Sequence, residues 1–206
     1  MIRVLNLYAG IGGNRKLWED VEVTAVEINP QIVKIYQDFF PNDKVIITDA
    51  HQYLLEHFKE FDFIWSSPPC PSHSKIRKNS NNKAKLGEIQ HPPIYPDMKL
   101  YEEILFLDGY YKGMWVVENV ISWYDPLIQP FICGHHYFWS NFYINDINIE
   151  KRFHQGTVKE LEKRKGFILD DVHNLNKCTI LKNCVEPEVG LHIFNCAFKI
   201  KQNTLC

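Results

Sequence analysis

"IRVLNLYAGIGG", residues 2–13, carries a nearly unbroken apolar segment straight into a turn that holds Gly10, Gly12 and Gly13. A run that is apolar on both of its faces reads as a strand in the middle of a parallel sheet. Glycines directly behind such a strand let the backbone approach a ligand closely, and a helix opening after them offers unpaired N–H groups. The same glycines also fit a tight connector that binds nothing. The residues downstream decide between the two.

Outward from this stretch the pattern repeats. "VEVTAVE" (21–27), "KVIIT" (44–48), "FDFIW" (61–65) and "MWVVENV" (114–120) are β-branched or aromatic runs. Between them "NRKLWEDV" (14–21), "NPQIVKIYQDFF" (29–40), "DAHQYLLEHF" (49–58) and "PDMKLYEEILFLDGYY" (96–111) have helical period, several with Asn or Asp caps. This alternation predicts an α/β fold with a doubly wound, mostly parallel sheet, whose ligands sit beyond the carboxyl ends of the strands. Further on, "PFICG" and "YFWSNFYI" read as a hairpin closing the sheet. "TVKELEKRKG" (157–166) reads as a short solvated helix stopped at Gly166, and "EPEVGLHIFNCAFKI" (186–200) as a final amphipathic helix docked on the sheet. Residues 71–96 are polar, asparagine-rich and bounded by proline, and they far exceed the ~2–6 residues of such a connection.

The length of 206 residues fits a single domain, and the 45% apolar and 23% charged content is that of a soluble globular chain. No stretch has the length of a membrane span and the N-terminus has no signal pattern, so the expected location is the cytoplasm, away from membranes. Cys70, Cys133, Cys178, Cys184, Cys196 and Cys206 are scattered without a CxxC pair, which implies no metal and, apart from Cys70, small buried apolar residues. A net charge of −2 gives no global attraction to nucleic acid, so contact with a polyanion must come from a local patch.

Acidic residues stand at two successive strand ends. Glu27 is placed to accept hydrogen bonds from both ribose hydroxyls of a nucleoside cofactor, and Asp49 from an adenine amino group. Asp49 serves equally well as a cap for the helix behind it. Without a Lys-Ser/Thr phosphate loop, a nucleoside triphosphate is disfavoured. The fourth strand leads into "SSPPCPSHS" (66–74) and the fifth ends in Glu118 and Asn119. A thiol on a proline-stiffened turn, near cations or a helix start, is expected to have a lowered pKa and to act as a nucleophile. One reaction needs Cys70 and Glu118 together: thiolate attack at carbon 6 of a pyrimidine while a carboxylic acid holds the ring nitrogen.

In this order, "YAGIGG", Glu27, Asp49, "PPC" and "ENV" resemble the cytosine-carbon-5 DNA methyltransferases, and "KNCVEPEVGLHIF" is similar to their last motif. "IWSSPPCPSHSKIR" looks like the small phage and prophage members of that family. The resemblance implies a Rossmann-like methyltransferase fold and S-adenosylmethionine as cofactor. The cofactor would lie against Tyr8, Ala9, Gly10, Gly12, Gly13, Glu27, Ile28, Asp49, Ala50, Asn183 and Val185, with residues 182–200 completing that side. It implies further that Cys70, Pro69, Glu118 and Asn119 act on a cytosine flipped out of double-stranded DNA. The loop 71–96 would close over the base, with Ser74, Lys75, Arg77 and Lys78, joined by Lys83 and Lys85, meeting phosphates.

Three departures stand beside the resemblance. Pro71 and His73 occupy places where Gln and Phe are common, and a Cys70–His73 dyad for acyl transfer is the minor alternative they raise. The Gln-x-Arg-x-Arg motif is replaced by "HHYFWSNFYI" (135–144), which offers His136, Trp139, Ser140 and Asn141, so that another residue such as Arg77 would have to supply the cation. Residues 145–181 are too few for the usual target-recognition lobe, which implies a short or relaxed site or a partner subunit beside an otherwise monomeric chain. Other readings stay open: an amino-group (N4/N6) methyltransferase, a weak or inactive cofactor- and DNA-binding module, and RNA or a free nucleotide as substrate.

Overall fold

The computed structural model describes residues 1–75, 95–147, 156–170, 172 and 175–198. Among these, strands β1 (Ile2–Leu7), β2 (Val21–Val26), β3 (Lys44–Ile46), β4 (Phe63–Ser66), β5 (Met114–Val120), β6 (Phe131–Cys133) and β7 (His136–Ser140) form one sheet in the order β3-β2-β1-β4-β5-β7-β6. β3, β2, β1, β4 and β5 run parallel, and β7 is antiparallel to both β5 and β6. The expected α/β, mostly parallel sheet is therefore present, closed at one edge by the expected hairpin. The strand order reverses between β1 and β4, which opens a crevice beyond their carboxyl ends.

The helices are α1 (Pro30–Phe39), α2 (Ala50–His57), α3 (Lys99–Tyr110), α4 (Val158–Lys165), α5 (Lys177–Asn183) and α6 (Pro187–Phe198). Local chemistry sets their ends. Asn29 and Asp49 cap α1 and α2 through their side chains, Thr157 and Glu160 form a capping box on α4, and Gly166 stops α4 in the left-handed region at φ 68°. None of the described helices is long and apolar enough to cross a membrane.

Alternation along the strands divides the core between the two faces of the sheet. Val4, Val23, Phe63, Trp65, Val116 and Phe138 pack with Trp18 and, from α6, Ile193 and Phe194. Leu5, Leu7, Ile64, Val117 and Trp139 pack with Leu54 of α2 and Leu100, Ile104 and Leu107 of α3. A third cluster joins Ile11 and Ile35 to Leu161, Phe167, Leu169, Leu181 and Cys184. The last helices thus close over the glycine turn.

Two expectations fail. "NRKLWEDV" forms turns instead of a helix: Gly12 N–H donates to Ala9 O at 2.9 Å and Trp18 N–H to Arg15 O at 3.1 Å. Tertiary contacts override helical propensity here. Asn14 pairs its amide with Asn6 at 2.7 Å, Arg15 pairs with Asp43 at 2.9 Å, and Trp18 donates to Gly190 O at 3.1 Å. Second, α4 is not simply solvated, because Leu161 and Lys165 on one side of it are buried. The helix α5 was also not anticipated from the sequence.

Gly190 shows how closely α6 meets the turn, since a Cβ built there would lie 2.3 Å from the Asn14 carbonyl oxygen and 2.5 Å from its Cα. Gly190→Ala is expected to destabilise the fold by about 1–3 kcal/mol, read as a lower urea midpoint at unchanged slope. Gly109→Ala in α3, where a Cβ meets nothing within 4 Å, serves as the opposite case and should stabilise by up to about 1 kcal/mol.

Candidate functional site

Register builds the centre of the site. Ser66 of β4 lies opposite Val117 of β5, so the chain that leaves β4 through Ser67, Pro68, Pro69 and Cys70 passes the end of β5 that carries Glu118 and Asn119. Asn119, 2% exposed, donates from Nδ2 to the Pro68 carbonyl at 2.9 Å and accepts the Val120 amide at 3.0 Å. It pins the proline turn to the neighbouring strand. Beyond the thiol, the amides of His73 and Ser74 both donate to the Cys70 carbonyl at 3.0 Å. Trp123 then fastens the segment, donating its amide to His73 O and its indole N–H to Ser72 O, each at 3.0 Å. Pro68 is buried, and Pro69 and Pro71 are exposed.

The electrostatics differ from the sequence expectation at Cys70. No lowering occurs: burial, and next the carboxylate of Glu118, push the thiol up. Glu118 is 7% exposed, and burial lifts its carboxyl to about 7 against the downward pull of the Ser67 hydroxyl and of Lys165. His136 Nε2 stands 3.6 Å from Glu118 Oε1, yet burial, assisted by Lys165, holds its imidazole down to about 4, so it faces Glu118 as a neutral ring. Negative charge on Glu118 disfavours it on Cys70. The pair therefore disfavours carrying two negative charges at once.

The residues around this pair take separate duties. His73 is 1% exposed and its Nδ1 lies 2.6 Å from the Tyr124 hydroxyl, which commits the ring to anchoring the turn. Of the residues that stand in for the arginine motif, Trp139 donates to Ile128 O at 2.8 Å, Ser140 to Phe142 O at 2.6 Å, and Asn141 to Gly113 O at 2.9 Å. His136 is the one placed against Glu118. Ser74 bridges to Ser122, Lys75 is exposed, and Arg77, Lys78, Lys83 and Lys85 lie outside the described residues.

On the cofactor side, Tyr8 and Gly10 adopt positive φ of 54° and 53°. A Cβ at Gly10 would meet nothing within 4 Å, whereas one at Gly12 would strike Phe40 at 2.4 Å and one at Gly13 the Val185 carbonyl at 2.2 Å. Gly10 thus leaves open space beside the turn, while Gly12 and Gly13 are required by protein neighbours. Glu27 accepts the Gly10 amide at 3.1 Å and the Asn29 amide at 2.9 Å, which fixes its carboxylate and leaves lone pairs for hydroxyl donors. Next to it Ile28 is 65% exposed, an apolar surface suited to a ring. Asp49 caps α2 by accepting the Gln52 amide at 2.9 Å. Ala9 and Ala50 are buried, Asn183 ends α5 on the surface and Val185 is half-buried against Gly13. This set fits a nucleoside-bearing cofactor.

One organising residue escaped the sequence reading. Glu103 of α3 is fully buried and accepts hydrogen bonds from Tyr8 Oη at 2.6 Å and Ser66 Oγ at 2.5 Å, with His51 Nδ1 at 3.1 Å. It ties the ends of β1 and β4 to the start of α2. A signal existed, because Leu100, Glu103, Ile104 and Leu107 share the i, i+3, i+4, i+7 stripe of the helix, where a carboxylate is out of place.

Known proteins resemble the chain in sequence and in fold. The family model of the C-5 cytosine-specific DNA methylases matches residues 2–91, so the resemblance read from the motifs holds over that stretch. S-adenosylmethionine is the cofactor of that family. Among solved structures, the Entamoeba histolytica methyltransferase EhMeth superposes with a TM-score of 0.60 at 13% identity, over 96% of this chain and 98% of that one, which identifies the fold as a methyltransferase fold. A mutant of Spodoptera frugiperda DNMT2 is 25% identical over 58% of this chain, with a TM-score of 0.39. The match spans 36% of the DNMT2 chain, about a third of its length. No curated protein sequence matches the chain.

Glu103→Gln tests the organising carboxylate without changing its volume. Glu103 raises the pKa of His51, chiefly by hydrogen bonding, so the variant should bring His51 down toward its ordinary value in an NMR titration. The raised folded pKa stabilises the protein below the unfolded value, and this is lost as pH rises through the folded one. The stability gap between wild type and variant should therefore be wider at pH 5.5 than at pH 8.

Proposed function

We propose that the chain methylates carbon 5 of cytosine in double-stranded DNA. The observation that carries this reading is the placement of Cys70 and Glu118 at the ends of adjacent strands: the turn that bears Cys70 leaves β4 and is tied at Pro68 to Asn119, the residue after Glu118 on β5. Proton transfer from Cys70 to Glu118 produces the thiolate and the carboxylic acid that the reaction requires. The thiolate adds to carbon 6 of the ring while Glu118 donates to ring nitrogen 3, and the electron density gathers at carbon 5. S-adenosylmethionine, when bound, supplies the electrophilic methyl group. The ring-nitrogen proton then returns to the Glu118 carboxylate, the carbon-5 proton passes to water, and the electrons of that C–H bond expel Cys70 as thiolate. Glu27, Ile28 and the open backbone at Gly10 would hold the nucleoside part of the cofactor, with Asp49, Ala50, Asn183 and Val185 around it.

A cytosine paired and stacked within a duplex is beyond the reach of a half-buried thiol, so the base must flip, at a cost of about a few kcal/mol. Lys75, with Arg77 and Lys78 after it, would meet the phosphates. Within the short segment 145–181, Leu161, Phe167, Leu169 and Leu181 are buried in the third core cluster. These side chains serve the core, and the shortness of the segment supports a short or relaxed recognition site, or recognition supplied by a partner subunit. We place the enzyme in the cytoplasm as a monomer. A second reading, a cofactor- and DNA-binding module with weak or no turnover, draws on the raised pKa of Cys70, which keeps the free site in its thiol form.

DNA containing 5-fluorocytosine distinguishes the two, because fluorine at carbon 5 cannot leave as a cation and the covalent adduct persists. Wild type with S-adenosylmethionine should form an adduct that survives denaturing gels. Cys70→Ser should form none, and Glu118→Gln should form it about 100-fold or more slowly. Adduct on RNA alone would overturn the DNA assignment, and bound cofactor without any adduct would favour the inactive module.

A further inference from the structure

A single carboxylate lies where the strand order of the sheet reverses. Leu7 of β1 lies opposite Ser66 of β4, and the fully buried Glu103 of α3 reaches the chain at both of these strand ends. Its two oxygens are divided. Oε1 accepts the Tyr8 hydroxyl at 2.6 Å and lies 3.1 Å from His51 Nδ1, and Oε2 accepts the Ser66 hydroxyl at 2.5 Å. Tyr8 opens the turn that leads to Gly10, and His51 follows Asp49 and Ala50 in the first turn of α2. One oxygen therefore serves the loops proposed to hold the cofactor, and the other serves the strand end that leads to Cys70.

Both sides of this carboxylate are stiff, so a displacement on one side has few places to be absorbed. Tyr8 holds φ at 54°, in the left-handed region that residues with a side chain seldom adopt. Such a conformation persists only where the surroundings over-determine it. Here they do: Glu103 holds the Tyr8 hydroxyl, the Ala9 amide donates to Val26 O at 3.0 Å, and the Gly10 amide donates to Glu27 at 3.1 Å. On the other side Ser66 is fully buried, and the Ser67 amide donates to Leu7 O at 3.4 Å. Pro68, tied to Asn119, and Pro69 then lead to Cys70 with φ fixed by their rings. Hydrogen bonds that converge on one buried group in a low-dielectric interior depend on one another.

We propose that Glu103 is a positioning residue that couples the two halves of the site: the arrangement of the cofactor turn, held at Oε1, sets the seat of Cys70 through Oε2, and the reverse. The proposal rests on the methyltransferase reading for the identity of the cofactor, and on the three contacts of Glu103 for the link itself. Coupling between sites acts in both directions. Cofactor affinity therefore depends on the Ser66 side, and the placement of Cys70 depends on the Tyr8 side. The consequence for the reaction is that the thiol is best aligned when the cofactor turn is ordered, which disfavours attack on a base for which no methyl donor waits.

The test is a double-mutant cycle in the full chain, with each change read on the opposite side of the carboxylate. Ser66→Ala should weaken the binding of S-adenosylhomocysteine about 5-fold by calorimetry, and in the Glu103→Gln background by less than about 2-fold. Tyr8→Phe, with no cofactor present, should speed alkylation of Cys70 by iodoacetamide about 5-fold, read by mass spectrometry of the Cys70 peptide. In the Glu103→Gln background that gain should fall below about 2-fold. Substitutions that only weaken the fold act by the same factor in both backgrounds, and that result overturns the proposal. If Glu103→Gln does not fold, the single variants decide, and the absence of either cross effect overturns it. Failure of the wild type to bind S-adenosylhomocysteine sinks the methyltransferase reading, while the cofactor-free alkylation still decides whether Glu103 links the two turns.

Discussion

Asn119 holds the site together through one hydrogen bond. Its amide joins the Pro68 carbonyl of the turn after β4 to the end of β5, and the stiffness of Pro68, Pro69 and Pro71 transmits that fixed point to Cys70. Register alone would bring the two strand ends near each other. The bond makes the thiol and the Glu118 carboxyl a pair with a defined relation, so that charge on one disfavours charge on the other. A flexible connection of the same length would spend orientation entropy that this turn has already given up.

Two buried ionisable side chains, Glu103 and Lys165, fasten the surrounding segments, and they are built by different logic. Glu103 is satisfied by three polar partners from three elements, so its burial cost is offset by fixing the turn after β1, the start of α2 and the end of β4 at once. Lys165 is satisfied by the Cys184 carbonyl and the carboxylate of Glu186, which it shares with Arg164.

The sequence made the fold legible where hydrophobic period and caps agree. The five parallel strands, the closing hairpin, Asn29, Asp49 and Gly166 could all be read from local chemistry. "NRKLWEDV" could not, since Asn14, Arg15 and Trp18 answer to Asn6, Asp43 and Gly190, partners distant in sequence. Cys70 and Glu118 were legible as strand-end residues, but the upward shift of the thiol was not, because burial is a property of the assembled sheet. Glu103 and Lys165 share a missed signal: each is a charge on the apolar stripe of its helix, Lys165 following Val158 and Leu161 at i+7 and i+4. Such a charge asks for a buried partner, and a reading that averages over the helix hides it.

The position at which the methyl group arrives decides whether Cys70 and Glu118 act as a nucleophile and its acid. DNA incubated with the protein and S-adenosylmethionine carrying a deuterated methyl group, then digested to nucleosides and separated by mass spectrometry, gives that position directly. The Cys70–Glu118 chemistry predicts the label in 5-methyldeoxycytidine. Label in N4-methyldeoxycytidine or N6-methyldeoxyadenosine would contradict it, because methylation of an exocyclic amino group needs no thiol nucleophile.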